Sequence, residues 1–199
     1  MPATLRFMGA LSFLLGTVAD LYMACFVIRL ALYWHGADPR DPVAAVVLRL
    51  TNPLAAPFRL LAKPSRRMET HVLVAFLVLE CALVWLTAGI GCEADPTIFQ
   101  IAAFGLVRAL RLVLWFYLLA VVAWALMSWF SPSGYNPLAG ALHRICSPAL
   151  APIRRLLPGM GGIDFSPLVL ILGLQLALSF LPGVEVAASL SCAQGFSPI

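Results

Sequence analysis

The amino-acid sequence predicts an all-α membrane protein whose four transmembrane helices form two parallel-repeat hairpins. The first observation is composition: 62% of the 199 residues are hydrophobic, 11% are charged, and the mean hydropathy is +0.95. An ordinary soluble domain has about 45–50% apolar and about 25% charged residues. This chain has too little polar surface to cover itself, which excludes a soluble enzyme, a disordered chain, a disulfide-stapled secreted domain and a nucleic-acid binder.

Four apolar stretches are long enough to cross a bilayer, which takes about 20 helical residues. They cover residues 7–34, 71–91, 98–130 and 165–184. The first and third exceed a perpendicular span, so they must tilt, kink or protrude. A cleaved signal peptide is the alternative for the first stretch, but the apolar run continues past the candidate cleavage site at Thr17-Val18-Ala19.

The second half of the chain repeats the first at a shift of 95 residues. The matched pairs that apolar bias does not explain are Tyr22 with Tyr117, Trp34 with Trp129, Pro42 with Pro137, Arg49 with Arg144, Pro53 with Pro148, Pro57 with Pro152 and Arg59 with Arg154. The repeat predicts one unit at 1–91, made of a helix, a segment that does not span the membrane (the excursion) and a second helix. An outer loop at 92–97, a second unit at 98–184 and an outer tail at 185–199 follow. Two units in the same orientation form a parallel repeat, unlike the inverted repeats of many secondary transporters.

The distribution of Lys and Arg predicts the orientation. The segments 35–70 and 131–164 hold nine basic residues, whereas the N-terminus, the segment 92–97 and the tail hold only Arg6. Because cytoplasmic loops are enriched in Lys and Arg, we expect both long segments inside and both termini outside.

Each long segment carries a repeated proline pattern that predicts a Pro-broken, amphipathic interfacial helix. Asp41-Pro42 and Asn136-Pro137 are typical of a helix N-cap followed by Pro at the first helical position. Asn52-Pro53 and Ser147-Pro148 predict a second start, and Pro57 and Pro152 are expected to shorten or kink that helix. The basic side chains nearby indicate contact with an anionic leaflet, or only fix the topology; the two interpretations are compatible.

Polar residues inside the predicted spans are functional candidates, because charges in hydrocarbon are rare. Arg29 lies near the inner interface and is expected to snorkel to it. Glu80 lies mid-span with Gln175 as its repeat partner; we expect it to be protonated, paired or in a polar cleft. Asp20 is approached by Arg108 and Arg111 of the third stretch, and matched depth predicts an ion pair between Asp20 and Arg111.

The topology divides the five cysteines. Cys25 and Cys81 lie within spans, and Cys146 is expected to be cytoplasmic and reduced. Cys92 and Cys192 both fall outside at nearly equivalent places in the two units, so an oxidising periplasm either joins them in a disulfide or leaves two unpaired thiols.

No pattern in the sequence indicates a catalytic, cofactor or metal site. His35, His71 and His143 are isolated, and no Cys-x-x-Cys is present. The glycine-rich stretch 158–167 lacks the Gly-Lys-Ser/Thr of a phosphate-binding loop. It predicts a tight turn that places Asp164 at the N-terminus of the last helix, where a negative charge is stabilising, and Glu69 matches it in the first unit.

The second unit carries a motif that resembles the YggT family of bacterial and plastid membrane proteins, and the resemblance covers nearly the whole chain. The residues that carry it are Asn136, Pro137, Pro148, Pro152, Arg154, Arg155, Pro158, Gly161, Gly162, Asp164, Ser166 and Pro167. The first unit keeps Pro42, Asn52, Pro53, Pro57, Arg59 and Glu69. It has Leu60 in place of the second Arg, and Arg66-Arg67 in place of the Gly pair.

The resemblance implies a multi-pass protein of the bacterial inner membrane without a catalytic residue or cofactor. It suggests a scaffold or regulator of other membrane proteins in osmotic and envelope stress adaptation. The alternatives are a small oligomeric channel or transporter subunit around Asp20, Glu80 and Gln175, and a cell-division or membrane-complex assembly factor. The expected partners are the lipid bilayer and other membrane proteins or a second copy, with no nucleic acid.

Overall fold

The computed structural model describes residues 3–36, 41–61, 69–91, 96–130, 137–156 and 164–187, and this part of the chain is entirely helical. The helices are α1 (Ala3–Trp34), α2 (Pro42–Ala55), a short 3-10 helix (Ala56–Leu60), α3 (Thr70–Gly91), α4 (Ile98–Phe130), α5 (Pro137–Leu156) and α6 (Ser166–Ala187). Pro137 lies 95 residues after Pro42, so α2 and α5 begin at the shift that the sequence repeat predicts.

Three described helices are long and apolar enough to cross a membrane: Leu14–Trp34 in α1, Thr70–Ala88 in α3 and Ile98–Met127 in α4. The apolar part of α6, Ser166–Pro182, is shorter. The all-helical membrane character that the sequence predicts is therefore confirmed. The length of α6 leaves the fourth crossing as a prediction.

Helix α4 lies at the centre of the bundle, because it packs against α1, α3, α5 and α6. The largest buried cluster joins α1, α3 and α4 around Phe26, Val72 and Phe76, with Ala109 at its edge. A second cluster around Val121 and Leu150 joins α4 to α5 and α6. Helix α3 is thus covered by helices of both repeats, whereas α6 packs against α4 and α5 of its own repeat.

The start of α2 follows the sequence prediction. The side chain of Asp41 accepts a hydrogen bond from the Val43 amide (3.0 Å), and Pro42 occupies the first helical position. The carboxylate satisfies one of the amide groups that a helix N-terminus leaves without a partner. The matching residue Asn136 lies outside the described residues.

The predicted second helix start inside each excursion is wrong. Helix α2 runs through Asn52-Pro53 to Ala55 and changes to a 3-10 helix only before Pro57. Helix α5 continues without a break through both Pro148 and Pro152. A proline removes one backbone hydrogen bond without always ending the helix. Here packing keeps α5 helical, because Ile145, Cys146 and Leu150 are buried against α4 and its neighbours.

Candidate functional site

Three charged side chains from three helices meet inside the bundle, and together they are called the membrane triad here. Arg108 of α4 donates from Nε to Glu80 Oε2 of α3 (2.9 Å) and from Nη2 to Asp20 Oδ1 of α1. The Glu80 side chain is 0% exposed, and those of Arg108 and Asp20 are 15% and 17% exposed. One guanidinium therefore ties α1, α3 and α4 together through two carboxyl groups.

A close approach of α3 and α4 lets Arg108 reach Glu80. A Cβ atom placed on Gly105 would lie 2.8 Å from Cys81 Sγ and 3.3 Å from its Cα atom. A side chain at position 105 would require the Cys81 thiol to move and the Cys81 backbone to shift by a few tenths of an ångström, so glycine favours this close approach of the two helices. Gly105 lies one helical turn before Arg108, and Cys81 directly follows Glu80.

The triad is only partly the arrangement expected from the sequence. Asp20 and Glu80 do share one site, and the residue that bonds both is Arg108. Arg111 is near enough to Asp20 to interact electrostatically, and a direct ion pair between those two residues stays a prediction. Gln175 lies apart from the triad, exposed on α6.

A second network, the first-repeat anchor, joins the end of α1 to the start of α3. Arg29 of α1 donates to both carboxylate oxygens of Glu69 (2.6 and 3.2 Å). Its Nη1 also donates to Thr51 Oγ1 (2.8 Å) and to Asn52 Oδ1 (3.0 Å) of α2. Arg29 reaches residues of the segment predicted to lie at the inner interface, as expected, but it is 4% exposed, because α2 and Glu69 supply acceptors inside the bundle.

The first-repeat anchor gives a role to two polar residues of α2, Thr51 and Asn52. Asn52 does not cap a new helix, because its Oδ1 accepts from Arg29 and, at 3.5 Å, from Arg59. Thr51 is fully buried and donates to the Val47 carbonyl (2.8 Å) while it accepts from Arg29. A cavity of about 260 Å³ lies beside the anchor, between Arg29, Tyr33 and α2.

The second-repeat anchor holds the matching acid with a different arginine. Arg154 of α5 donates from Nε to Asp164 Oδ2 (2.9 Å), and its Nη2 lies 2.8 Å from the same oxygen in an ion pair. Its guanidinium also lies over the Trp124 ring, 5.4 Å from the centroid. Asp164 Oδ1 accepts from the Ser166 amide (2.9 Å) and so caps α6 as predicted.

The electrostatics of Asp164 follow from these contacts. Slight desolvation raises the pKa of Asp164, but the hydrogen bonds from Ser166 and Arg154 outweigh it and hold the pKa below its usual range. Among the other motif residues, Arg155 is exposed, Pro148 and Pro152 lie within α5, and Pro167 lies in the first turn of α6. Pro158, Gly161 and Gly162 lie outside the described residues.

The cysteines and histidines form no metal site in the part of the chain that the structure describes, where no three His, Cys, Asp or Glu residues cluster. Cys25, Cys81 and Cys146 are free thiols. Cys92 and Cys192 lie outside the described residues, so their disulfide stays a prediction. His71 is buried, and both of its ring nitrogens lack a hydrogen-bond partner, a feature that its position in an apolar run does not reveal.

These features define a helical membrane protein built from two related units, each of which fastens an acid at the start of its second helix to an arginine. The CCB3/YggT family model matches residues 8–90 and 103–184. The chain belongs to the CCB3/YggT family.

Relatives from several bacteria agree with this assignment. A protein named YggT from Escherichia coli (strain K12) is 33% identical over 166 residues, which are 83% of this chain and 85% of the relative. A Vibrio alginolyticus protein is 33% identical over 180 residues, 88% of this chain and 95% of the relative. A Pseudomonas aeruginosa protein is 30% identical over 165 residues, 82% of this chain and 84% of the relative. No solved structure matches the chain.

Proposed function

We propose that this protein acts in the bacterial inner membrane as a non-enzymatic scaffold or regulator of other membrane proteins, in adaptation to osmotic and envelope stress. In this proposal the four apolar helices cross the bilayer, both termini are periplasmic, and α2 and α5 lie at the inner interface against anionic lipid. The observation that carries the scaffold role is the outward face of α6.

The outward face of α6 is apolar except at its centre. Leu172, Leu176 and Phe180 are all more than half exposed, and the exposed Gln175 lies among them. In hydrocarbon the amide of Gln175 has no water to bond, so its two donors and its acceptor favour contact with a polar group on another helix. Interhelical hydrogen bonds of this kind stabilise helix association by about 1 kcal/mol.

The position of α6 supports the same role. Helix α3 carries Glu80 at the position matching Gln175, and α4 of the other repeat covers it. Helix α6 packs against α4 and α5, which leaves the face around Gln175 for a partner. A lateral partner helix on α6 would occupy the place that α4 takes beside α3.

Site-specific photo-crosslinking in cells tests this face. A photo-reactive amino acid at position 175 is expected to capture a discrete membrane protein. The matched control is position 78 on α3, where Val78 is also exposed but lies among apolar residues. The identity of the captured protein separates a stress regulator from a cell-division or assembly factor. Equal capture at the two positions, or capture of lipid alone at position 175, would contradict the proposal.

The second candidate is a channel or transporter subunit for ion or solute uptake, and the membrane triad is the observation that favours it. Buried carboxylates paired within spans are typical of ion and proton pathways. Purified protein in liposomes is then expected to pass K⁺ or a small solute in a saturable manner, and Glu80→Ala is expected to abolish the flux. No flux from the wild-type protein would remove this candidate.

A further inference from the structure

The second oxygen of Glu80 is an unusual atom in the membrane triad. Glu80 Oε2 accepts from Arg108, but Oε1 is buried and has no hydrogen-bond partner. A buried ionised carboxylate is stabilised by hydrogen-bond donors at both oxygens, because the negative charge is shared between them. A buried ionised group that lacks such contacts is expensive, and it becomes neutral instead.

The charges around Glu80 also favour the neutral acid. Its one cationic contact, Arg108, bonds Asp20 as well, so a single guanidinium serves two carboxyl groups. Asp20 accepts from Arg108 and has Arg111 within electrostatic range, so two cations favour the charged form of Asp20. A charged Asp20 shares the Arg108 guanidinium with Glu80, and its nearby negative charge disfavours a second one on Glu80.

Among the described residues, the remaining helices packed on α3 place no compensating charge beside Glu80. Cys81 is the neighbouring titratable group on α3 itself. Arg49 of α2 is exposed, and Arg59 of the 3-10 helix acts on His71 at the opposite end of α3. Glu80 therefore faces Asp20 from α1 and Arg108 from α4.

We propose that Glu80 is a proton-binding site, which holds one proton on Oε1 while Asp20 and Arg108 remain charged. The single free oxygen of Glu80, Oε1, suits a proton better than a metal cation. A bound Na⁺, K⁺ or Ca²⁺ needs several oxygen ligands, whereas a proton needs one lone pair. The proposal depends on neither the scaffold role nor the transport role.

Labelling with dicyclohexylcarbodiimide tests the proposal on the full chain in liposomes. This reagent takes the proton of a carboxylic acid in an apolar setting, adds its carbon to the carboxyl oxygen and rearranges to a stable acylurea, with no leaving group. Peptide mapping by mass spectrometry is expected to find the label on Glu80 and not on Asp20 at neutral pH, with the yield falling as the pH rises. Glu80→Gln should remove the label.

Gln175→Glu supplies a matched control, because it places a carboxyl group at the repeat-equivalent depth on the exposed face of α6. That carboxyl should be labelled readily, which shows that the reagent reaches this depth. Asp20→Asn is the decisive variant. It leaves Arg108 to Glu80 alone, so Glu80 should ionise and its labelling should fall on the order of tenfold or more.

Infrared difference spectroscopy on a pH jump provides a second measurement that needs no reagent access. The wild-type protein should lose the carbonyl stretch of one carboxylic acid as the pH rises, and neither Glu80→Gln nor Asp20→Asn should show that band. The proposal is overturned if the wild type lacks the band, if Asp20 takes the label, or if folded Asp20→Asn protein keeps the labelling of the wild type.

Discussion

In both repeats an arginine bonds the acid that precedes the second apolar helix, but the two arginines come from different helices. In the first repeat, Glu69 before α3 is held by Arg29, which comes from the long helix α1 and is 4% exposed. In the second, Asp164 before α6 is held by Arg154, which comes from α5 and has a side chain 38% exposed. The comparison shows that the acid and its position are retained, while the arginine has changed helix and the contact has moved from the interior to the surface.

The residue that matches Arg29 in the second repeat explains why a different arginine bonds Asp164. Trp124 of α4 occupies the place that matches Arg29, and Arg154 stacks on its ring. Cys146 occupies the place of Thr51, and it is buried among apolar side chains with no partner for an arginine there. In the second repeat, apolar side chains thus occupy the place of the polar first-repeat anchor. Arg154 bonds Asp164 at the surface instead.

The equivalence of the two anchors requires them to lie on the same side of the membrane, and cysteine accessibility tests this. Leu61→Cys and Leu156→Cys are repeat-equivalent, exposed positions, and we expect both to react with an impermeant maleimide only from the cytoplasm. Phe99→Cys, exposed at the start of α4, should react only from the periplasm. Opposite accessibility of positions 61 and 156 would exclude a parallel repeat.

The native Cys146 serves as the internal control for that experiment. It is fully buried, and burial raises the pKa of its thiol to about 11. We expect no reaction with maleimide from either side until the protein is unfolded, because the reagent needs an accessible thiolate.

Substitution of each anchoring arginine measures how much the buried and the exposed pair contribute to the free energy of unfolding. Arg29→Met leaves the carboxylate of Glu69 and the buried Thr51 without their cationic donor, and we expect a loss of about 3–5 kcal/mol of unfolding free energy. Arg154→Met removes an exposed pair and should cost about 0.2–1 kcal/mol. Denaturant unfolding in detergent or bicelles measures both. A larger loss from Arg154→Met would show that burial does not decide the strength of the anchors.

A pair of glycine substitutions compares the covered α3 with the exposed α6. Gly105→Ala places a methyl group against Cys81 and forces α4 away from α3, so we expect a loss of about 1–3 kcal/mol. Gly173→Ala on α6 meets nothing within 4 Å and should be neutral or stabilising by up to about 1 kcal/mol. Thermal unfolding should occur at a lower temperature for Gly105→Ala than for the wild type, and at the same or a higher temperature for Gly173→Ala; an unchanged midpoint for Gly105→Ala would contradict the close approach at Gly105.

The smallest expected effect is the pH dependence of the second-repeat anchor. Because the folded pKa of Asp164 lies below its unfolded value, its contribution to stability is present above the unfolded value of 3.8 and is lost as the pH falls through the lowered folded pKa. Asp164→Asn should lower the unfolding midpoint slightly at neutral pH and match the wild type in acid. A difference that grows as the pH falls would reverse this sign.

Local signals in the sequence predicted the features that depend on neighbouring residues. Asp41 before Pro42 and Asp164 before Ser166 act as helix caps as expected, because capping involves only the next two residues. The proline pattern was misleading, since α5 gains enough from packing to stay helical through Pro148 and Pro152. The partners of Arg29 and Arg108 depend on which helices pack together, which no local pattern encodes.

Both repeats bond the acid before their second helix to an arginine, which lies in the interior in the first repeat and at the surface in the second. Double-mutant cycles test it most directly, with Arg29→Met and Glu69→Gln in one cycle and Arg154→Met and Asp164→Asn in the other. We expect a coupling energy of about 2–3 kcal/mol in the first repeat and about 0.2–1 kcal/mol in the second. A coupling energy near zero for Arg29 with Glu69, or an equal value in both repeats, would contradict the account.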